Sequence, residues 1–128
     1  MVHPDIPWLG FSPDGFVQFD YVVLIEIKCP YLGKSSTVAD VLPLLPFLVV
    51  DGTSFSLKKK HQYYGQVQLG MFLSNTKECH FVIFCSFDKS FQVIHVSYDR
   101  NSIENMVLSL SEVYFKQLLP RIYENLCA

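Results

Sequence analysis

The chain has 128 residues, of which half are apolar and 15% are aromatic, and its formal net charge at pH 7 is −2. This length and composition predict one globular domain over 1–128 and exclude an intrinsically disordered chain. The weak negative charge excludes a basic field around the whole molecule, so any surface that binds nucleic acid has to be local.

The cysteines and the apolar runs indicate the compartment. The four cysteines show no CxxC spacing and are predicted to be reduced thiols of an intracellular protein, with nucleus and cytoplasm not distinguished. No apolar run reaches the roughly 18 residues that span a bilayer, so no membrane association is expected.

The N-terminal part is predicted to form a meander of up to three antiparallel strands. Residues 8–11 suit a strand that ends at a turn over 12–15, and 16–19 alternate apolar and polar side chains. A tight turn would pair 16–19 with 21–29. The segment 22–27 within the last strand is apolar on both faces until Glu26 and is predicted to be covered on both sides.

A charged pattern follows this apolar run. Alternate side chains of a strand share a face, so Glu26 and Lys28 are predicted to point the same way while Ile27 points into the core. If Asp14 lies at the turn of a neighbouring strand, its carboxylate can meet that of Glu26, and two close carboxylates repel unless a cation lies between them. Mg²⁺ prefers such oxygen ligands, and Lys28 would act on the attacking water and on the charge of the attacked phosphate.

Each half of this pattern also has an ordinary structural explanation. Glu-x-Lys is common on exposed strand faces as a solvated pair, and Pro-Asp-Gly alone is a common turn. Their occurrence together, with an apolar strand leading into Glu26, favours a metal-dependent phosphodiesterase.

The segment after this strand is predicted to be packing structure. Pro30 ends the strand, 33–36 form a polar loop, and 37–42 form one or two helical turns. A small hairpin is expected for 47–50 and 54–57, with a tight turn between them.

Residues 58–74 have apolar side chains at helical spacing, which predicts a helix with its apolar face on the sheet. Gln62 and Gln66 lie four apart and share a face of this helix. The basic cluster Lys58-Lys59-Lys60 is either a solvated helix start or a contact to phosphate groups.

The remaining residues are predicted to form a hairpin and a helix. The segment 77–87 contains an apolar run typical of an interior strand, and 91–98 alternate as its hairpin partner. A helix is expected from Asn101 as N-cap, with Pro120 kinking or breaking it. Strands, helix, strands and helix in this order predict the α+β class.

Three motifs occur in order along the chain: Leu9-Gly10-Phe11-Ser12-Pro13-Asp14-Gly15, Glu26-Ile27-Lys28-Cys29-Pro30 and Tyr63-Tyr64-Gly65-Gln66-Val67-Gln68-Leu69-Gly70-Met71. Together they resemble the YqaJ-like viral recombinase family, which includes the lambda-type exonuclease and belongs to the PD-(D/E)xK nucleases. The resemblance spans 8–86. It implies a restriction-endonuclease-like core, with a mixed or antiparallel sheet flanked by helices.

The resemblance also implies roles for individual residues. Asp14 and Glu26 become ligands of Mg²⁺, for which Mn²⁺ can substitute, and the backbone carbonyl of Ile27 becomes a further ligand. Lys28 becomes the residue beside the attacking water. Gln66, the first glutamine of Gln-x-Gln, reaches the catalytic centre; the alternative for it is a hydrogen bond to a neighbouring loop.

The implied partner is DNA, with a duplex end favoured, and the implied assembly is a homo-trimer, as in the best-known member. Candidate contacts to nucleic acid are Lys58, Lys59, Lys60 and Tyr64. The implied activity is that of a Mg²⁺-dependent exodeoxyribonuclease of recombination, viral or mobile-element origin.

The chain departs from the family at its N-terminal side. Family members have a helical region there that supplies an upstream acidic residue and basic residues for the 5′ phosphate, whereas only His3 and Asp5 are candidates before Asp14. The chain is therefore expected to be a fragment of a longer family domain, or to have a metal site with fewer ligands than the family. The alternatives are a catalytically degenerate module that binds nucleic acid or a protein partner, and a structural domain of a larger recombinase.

Overall fold

A computed structural model of the chain describes residues 13–127, with the side chains of residues 123, 126 and 127 excepted. The chain divides into two compact units, Met1–Tyr98 and Asp99–Ala128. The predicted strand over 8–11 and the candidates His3 and Asp5 lie outside the described residues.

The described part of the first unit, residues 13–98, contains two sheets. Its strands are β1 Gly15–Gln18, β2 Val22–Lys28, β3 Leu48–Asp51, β4 Ser54–Leu57, β5 Glu78–Cys85 and β6 Ser90–Ser97. The larger sheet has the order β1-β2-β5-β6, in which β2 and β5 run parallel and the other two neighbouring pairs run antiparallel. The smaller sheet is the predicted hairpin of β3 and β4, which turns at Gly52 with φ +62°. The predicted α+β class with a mixed sheet is confirmed.

The hairpin of β1 and β2 forms as predicted, but the expected cover on both faces of β2 does not extend to its end. Val23 and Leu24 are buried on opposite faces, whereas Ile27 is 46% exposed and does not point into a core. β1 begins only at Gly15, which pairs with Ile25, so Ile27 lies beyond the N-terminal end of β1, at the open end of the hairpin.

The helices of the first unit are α1 Val38–Val41 and α2 Gln62–Ser74. Helix α2 begins later than the predicted 58 because His61 caps it, with its Nδ1 accepting from the Tyr63 amide at 3.2 Å. The residues of α2 that are buried are Tyr64, Val67, Gln68, Gly70, Met71 and Leu73. Tyr64, Val67 and Met71 pack in the core cluster with Leu24 of β2 and Phe81 of β5, so the predicted apolar face of this helix is confirmed.

The segment after β2 differs from the polar loop predicted for 33–36. A 3₁₀ turn spans Tyr31–Lys34, and Gly33 within it is buried. The Gly33 carbonyl accepts from the Phe87 amide at 2.9 Å. The turn packs closely on the end of β5 because glycine has no side chain to hold it away.

This close approach gives a first testable prediction. A methyl group on Gly33 would lie 2.9 Å from Cys85 Sγ and 3.1 Å from Cys85 Cα, so Gly33→Ala is expected to lower the free energy of unfolding by about 2 kcal/mol. Urea unfolding measures it. Gly15→Ala is the matched control, because its methyl group meets only Ile25 Cβ, at 4.0 Å. Equal stability of the two variants would contradict the packing described here.

The second unit is helical, with α3 Arg100–Val113, a π-helical stretch Tyr114–Leu118 and α4 Leu119–Cys127. The N-cap is Asp99 and not the predicted Asn101, since Asp99 accepts from the amide and the hydroxyl of Ser102 at 3.2 and 2.9 Å. Pro120 does not break the helix. Proline has no backbone N–H to donate, and its ring needs room in the preceding turn. The wider π-helical stretch Tyr114–Leu118 provides that room directly before Pro120. Among the described residues, no helix is both long and apolar enough to cross a membrane.

Candidate active site

Asp14 and Glu26 meet at the open end of the β1–β2 hairpin. Gly15 pairs with Ile25, so one step further in the same antiparallel register places Asp14 opposite Glu26. The carboxylate of Asp14 is fixed by its own hydrogen bond, in which Oδ2 accepts from the Ile27 amide at 2.9 Å. The structure therefore brings together the two carboxyl groups that the sequence pattern predicted to converge.

The environment of Glu26 disfavours its charge. Burial, the negative charge of Asp14 and a hydrogen bond with Asp14 together raise the pKa of Glu26 from 4.5 to about 7, with burial the largest cause, and Lys28 opposes the shift. Glu26 Oε1 is buried and has no hydrogen-bond partner within the part of the chain that the structure describes. A buried carboxylate oxygen without a donor, beside a second carboxylate, needs either a proton or a cation.

The raised pKa of Glu26 gives a prediction for the metal-free protein. The folded state binds this proton more tightly than the unfolded chain, so its stabilising effect is full below pH 4.5 and is lost as the pH rises towards about 7. Glu26→Gln carries no charge at any pH. Its free energy of unfolding should therefore rise relative to wild type between pH 4.5 and 8, by about 1 kcal/mol after allowance for solvent screening.

Urea unfolding in chelator at several pH values measures this difference. Glu78→Gln is the matched control, because the Glu78 carboxylate binds the Tyr21 hydroxyl at 3.0 Å and glutamine keeps that acceptor. A difference between Glu26→Gln and wild type that stays constant with pH would contradict the environment assigned to Glu26.

Lys28 lies two residues beyond Glu26 on the same face of β2, as predicted. Its Nζ is 4.6 Å from the centroid of the Tyr63 ring on α2. The ammonium group is therefore held at the site by a cation–π contact across the core. The sequence carries no local signal for this contact, because the two residues are far apart along the chain.

Gln66 is exposed on α2, one helical turn beyond Tyr63, and shares this exposed face with Gln62 as predicted. Its predicted catalytic role stays a prediction. The second glutamine of the motif, Gln68, is fully buried and donates from Nε2 to the Ser97 carbonyl at 2.9 Å. Gln68 is thus a structural residue that ties α2 to the end of β6, and the sequence analysis did not single it out.

The residues predicted to contact nucleic acid fall into two groups. Lys58, Lys59 and Lys60 are exposed between β4 and α2, outside any helix, and remain candidates. Tyr64 is only 9% exposed and packs in the core, so the prediction that it contacts nucleic acid is wrong. The apolar face of α2 carries Tyr64 inward, and its ring is not available to a base.

The described residues offer a small set of metal ligands. Between residues 13 and 127, no three His, Cys, Asp or Glu side chains come together as a metal-binding group. Asp14 and Glu26 supply two carboxylates, which is the number that Mg²⁺ often takes from a protein when phosphate oxygens and water complete its coordination. The predicted ligation by the Ile27 carbonyl stays a prediction, while the Ile27 amide orients Asp14.

Comparisons with known proteins support the fold. No family model matches the chain, and no curated protein matches it. A solved structure does: the crystal structure of LHK-Exo in complex with dAMP, at 25% sequence identity and a TM-score of 0.61. The match covers 98% of this chain and 60% of LHK-Exo, so the chain spans less than two thirds of that protein.

This likeness indicates a viral exonuclease-like version of the restriction-endonuclease-like fold. LHK-Exo was crystallised with the nucleotide dAMP.

Proposed function

We propose that the chain is the catalytic core of a Mg²⁺-dependent deoxyribonuclease of the YqaJ-like, lambda-type exonuclease kind. The observation that carries the proposal is the buried Glu26 Oε1, which accepts no hydrogen bond from any described residue, beside the Asp14 carboxylate. When both carboxyl groups are ionised, such a pair is costly in a fold unless it holds a cation. The likeness to LHK-Exo supports the same reading.

The donor set fits a hard divalent cation. Both side chains are carboxylates, which suit Mg²⁺ and Mn²⁺ better than softer metals. Asp14 is exposed, so the pair is open on one side to a phosphate group of a substrate. When bound, the ion would activate the attacking water and share the negative charge on the phosphate oxygens.

The chain's own residues contribute orientation and charge. The Ile27 amide keeps the Asp14 carboxylate turned towards Glu26. Glu26 gives up its proton near neutral pH, since its pKa is about 7, and then offers both oxygens. The Lys28 ammonium, on the same face of β2, orients the attacking water and offsets charge that develops on the phosphate. Water attacks the phosphorus in line with the leaving oxygen, so hydrolysis needs no covalent intermediate.

We also propose the substrate, the pathway, the assembly and the path of the DNA. The substrate is a DNA duplex end, the pathway is recombination of viral or mobile-element type, and the assembly is a homo-trimer. Gln66 and the cluster Lys58-Lys59-Lys60 are proposed to lie on the path of the DNA.

A cleavage assay tests the proposal. Purified protein is incubated with linear duplex DNA and, in parallel, with a closed circle of the same sequence, each with Mg²⁺, Mn²⁺ or a chelator. The proposal predicts degradation of the linear substrate alone, no reaction in chelator, and a loss of about 100-fold or more in Lys28→Ala. Cleavage that persists in chelator or is unchanged in Lys28→Ala would overturn it.

A second candidate function is binding without cleavage. It is favoured by the small ligand set, since residues 13–127 bring only two acidic side chains together at the site. Metal binding measured by titration, with DNA bound but not cut under every condition of the assay, would identify the chain as this binding module.

A further inference from the structure

Tyr63 is the described residue that contacts the Lys28 ammonium through its ring face. The ring centroid lies 4.6 Å from Lys28 Nζ, within the range at which a cation is attracted to an aromatic face. Both side chains are half-buried, so water weakens the attraction less than at a fully exposed site.

The Tyr63 ring is itself held by other rings. Its centroid is 4.8 Å from that of Phe47, at an interplanar angle of 69°, and 4.8 Å from that of His61, at 62°. Phe81 lies 6.0 Å away and is fully buried. Edge-to-face packing of this kind fixes a ring in one orientation.

The backbone of Tyr63 is fixed as well. Its amide donates to His61 Nδ1 at 3.2 Å in the N-cap of α2. The Tyr63 ring is therefore a rigid surface. A lysine side chain is flexible, because its charge lies at the end of a four-carbon stem.

We propose that Tyr63 is a positioning residue for Lys28, whose ring face keeps the ammonium group at the Asp14–Glu26 pair during phosphodiester cleavage. This inference rests on the proposed function. It adds a residue outside both acidic motifs, and it assigns the effect to the aromatic face and not to the phenolic hydroxyl.

Because the effect on Lys28 is assigned to the ring face of Tyr63, the variants have to separate the ring from the hydroxyl. Tyr63→Phe keeps the ring and removes the hydroxyl, while Tyr63→Leu keeps an apolar side chain and removes the ring. Replacement of Tyr63 by pentafluorophenylalanine keeps the shape but removes the attraction for a cation, and so remains informative if Tyr63→Leu does not fold. Phe47→Leu is the control for loosened packing, since that ring touches Tyr63 by an edge contact.

Single-turnover and steady-state cleavage of linear duplex DNA with Mg²⁺ give the kinetic readout. Tyr63→Leu and the pentafluoro variant are expected to lower kcat by about tenfold with KM within about twofold, and Tyr63→Phe to stay within about twofold of wild type. In a Lys28→Ala background, Tyr63→Leu should cause no further loss, because the ring then has no ammonium to position.

NMR of the Lys28 ε-methylene protons gives a readout that does not depend on activity. The ring face predicts an upfield shift in wild type and Tyr63→Phe that is lost in Tyr63→Leu. Absence of wild-type cleavage would overturn the proposed function, and this inference with it. Wild-type cleavage with kcat unchanged in Tyr63→Leu, or with an equal loss in the Lys28→Ala background, would overturn the role of Tyr63 alone.

Discussion

Glu26→Gln is expected to lower metal-dependent cleavage of linear duplex DNA by about a thousandfold, because the neutral amide removes one of the two carboxylates proposed to hold the cation. Glutamine has nearly the same shape as glutamate, so the strand geometry of β2 should be kept. The same change removes the two largest causes of the raised Glu26 pKa, first the cost of burying a charge at residue 26 and then its repulsion by Asp14. Activity and metal-free stability at pH 8 should therefore move in opposite directions.

A loss of cleavage activity together with a gain in metal-free stability distinguishes a functional glutamate from a structural one. A glutamate that served only the fold would lose stability when its charge or its hydrogen bonds were removed. Activity is measured under single-turnover conditions with Mg²⁺, and unfolding is measured in chelator. Glu78→Gln, at a carboxylate bonded to Tyr21, should change neither quantity appreciably. Retained cleavage in Glu26→Gln would remove Glu26 from the site.

Phe81→Ala is expected to cost about 4 kcal/mol of unfolding free energy, through lost apolar burial and the cavity that remains. Phe81 is fully buried and pairs with Glu26 across β2 and β5. Its ring lies 5.9 Å from that of Phe47 and 6.0 Å from that of Tyr63, so it supports the aromatic cluster beneath Lys28.

Thermal and urea unfolding measure the loss. Phe81→Leu is the matched control, because it keeps most of the apolar volume and should cost about 1 kcal/mol. A small effect of Phe81→Ala would mean that the core under the site is not packed as described.

The convergence of Asp14 and Glu26 was predictable because it depends on local rules. Two short strands that follow each other closely in the sequence form a hairpin. The antiparallel register then places Asp14, just before the first strand, opposite Glu26 on the second. The exposure of Ile27 was not predictable in the same way. Ile27 lies beyond the residue at which β1 begins, and the apolar pattern of β2 does not encode that position.

The two neighbouring tyrosines show a second limit. Successive residues on a helix point about 100° apart, so Tyr63 and Tyr64 have to face different surroundings. Tyr64 turned into the core and Tyr63 turned towards Lys28. Both side chains are aromatic, so composition alone cannot tell which one meets the charge; that depends on how α2 sits on β2.

Helix boundaries depended on choices between similar residues. Asp99 and Asn101 are both good N-caps, and the structure uses the former because its carboxylate binds the Ser102 amide. His61 begins α2 after the lysine cluster, which leaves Lys58 to Lys60 on a turn. The Asp99 cap begins a helix that carries none of the candidate site residues, whereas the His61 cap also fixes the backbone of Tyr63, whose ring contacts Lys28.

The most direct test of the account is a crystal of the protein soaked in Mn²⁺, with data collected at the manganese absorption edge. An anomalous difference peak is expected within coordination distance of both the Asp14 and the Glu26 carboxylates, and no such peak is expected in crystals of Glu26→Gln. A peak only elsewhere, or no peak between these two side chains at a saturating Mn²⁺ concentration, would contradict the account.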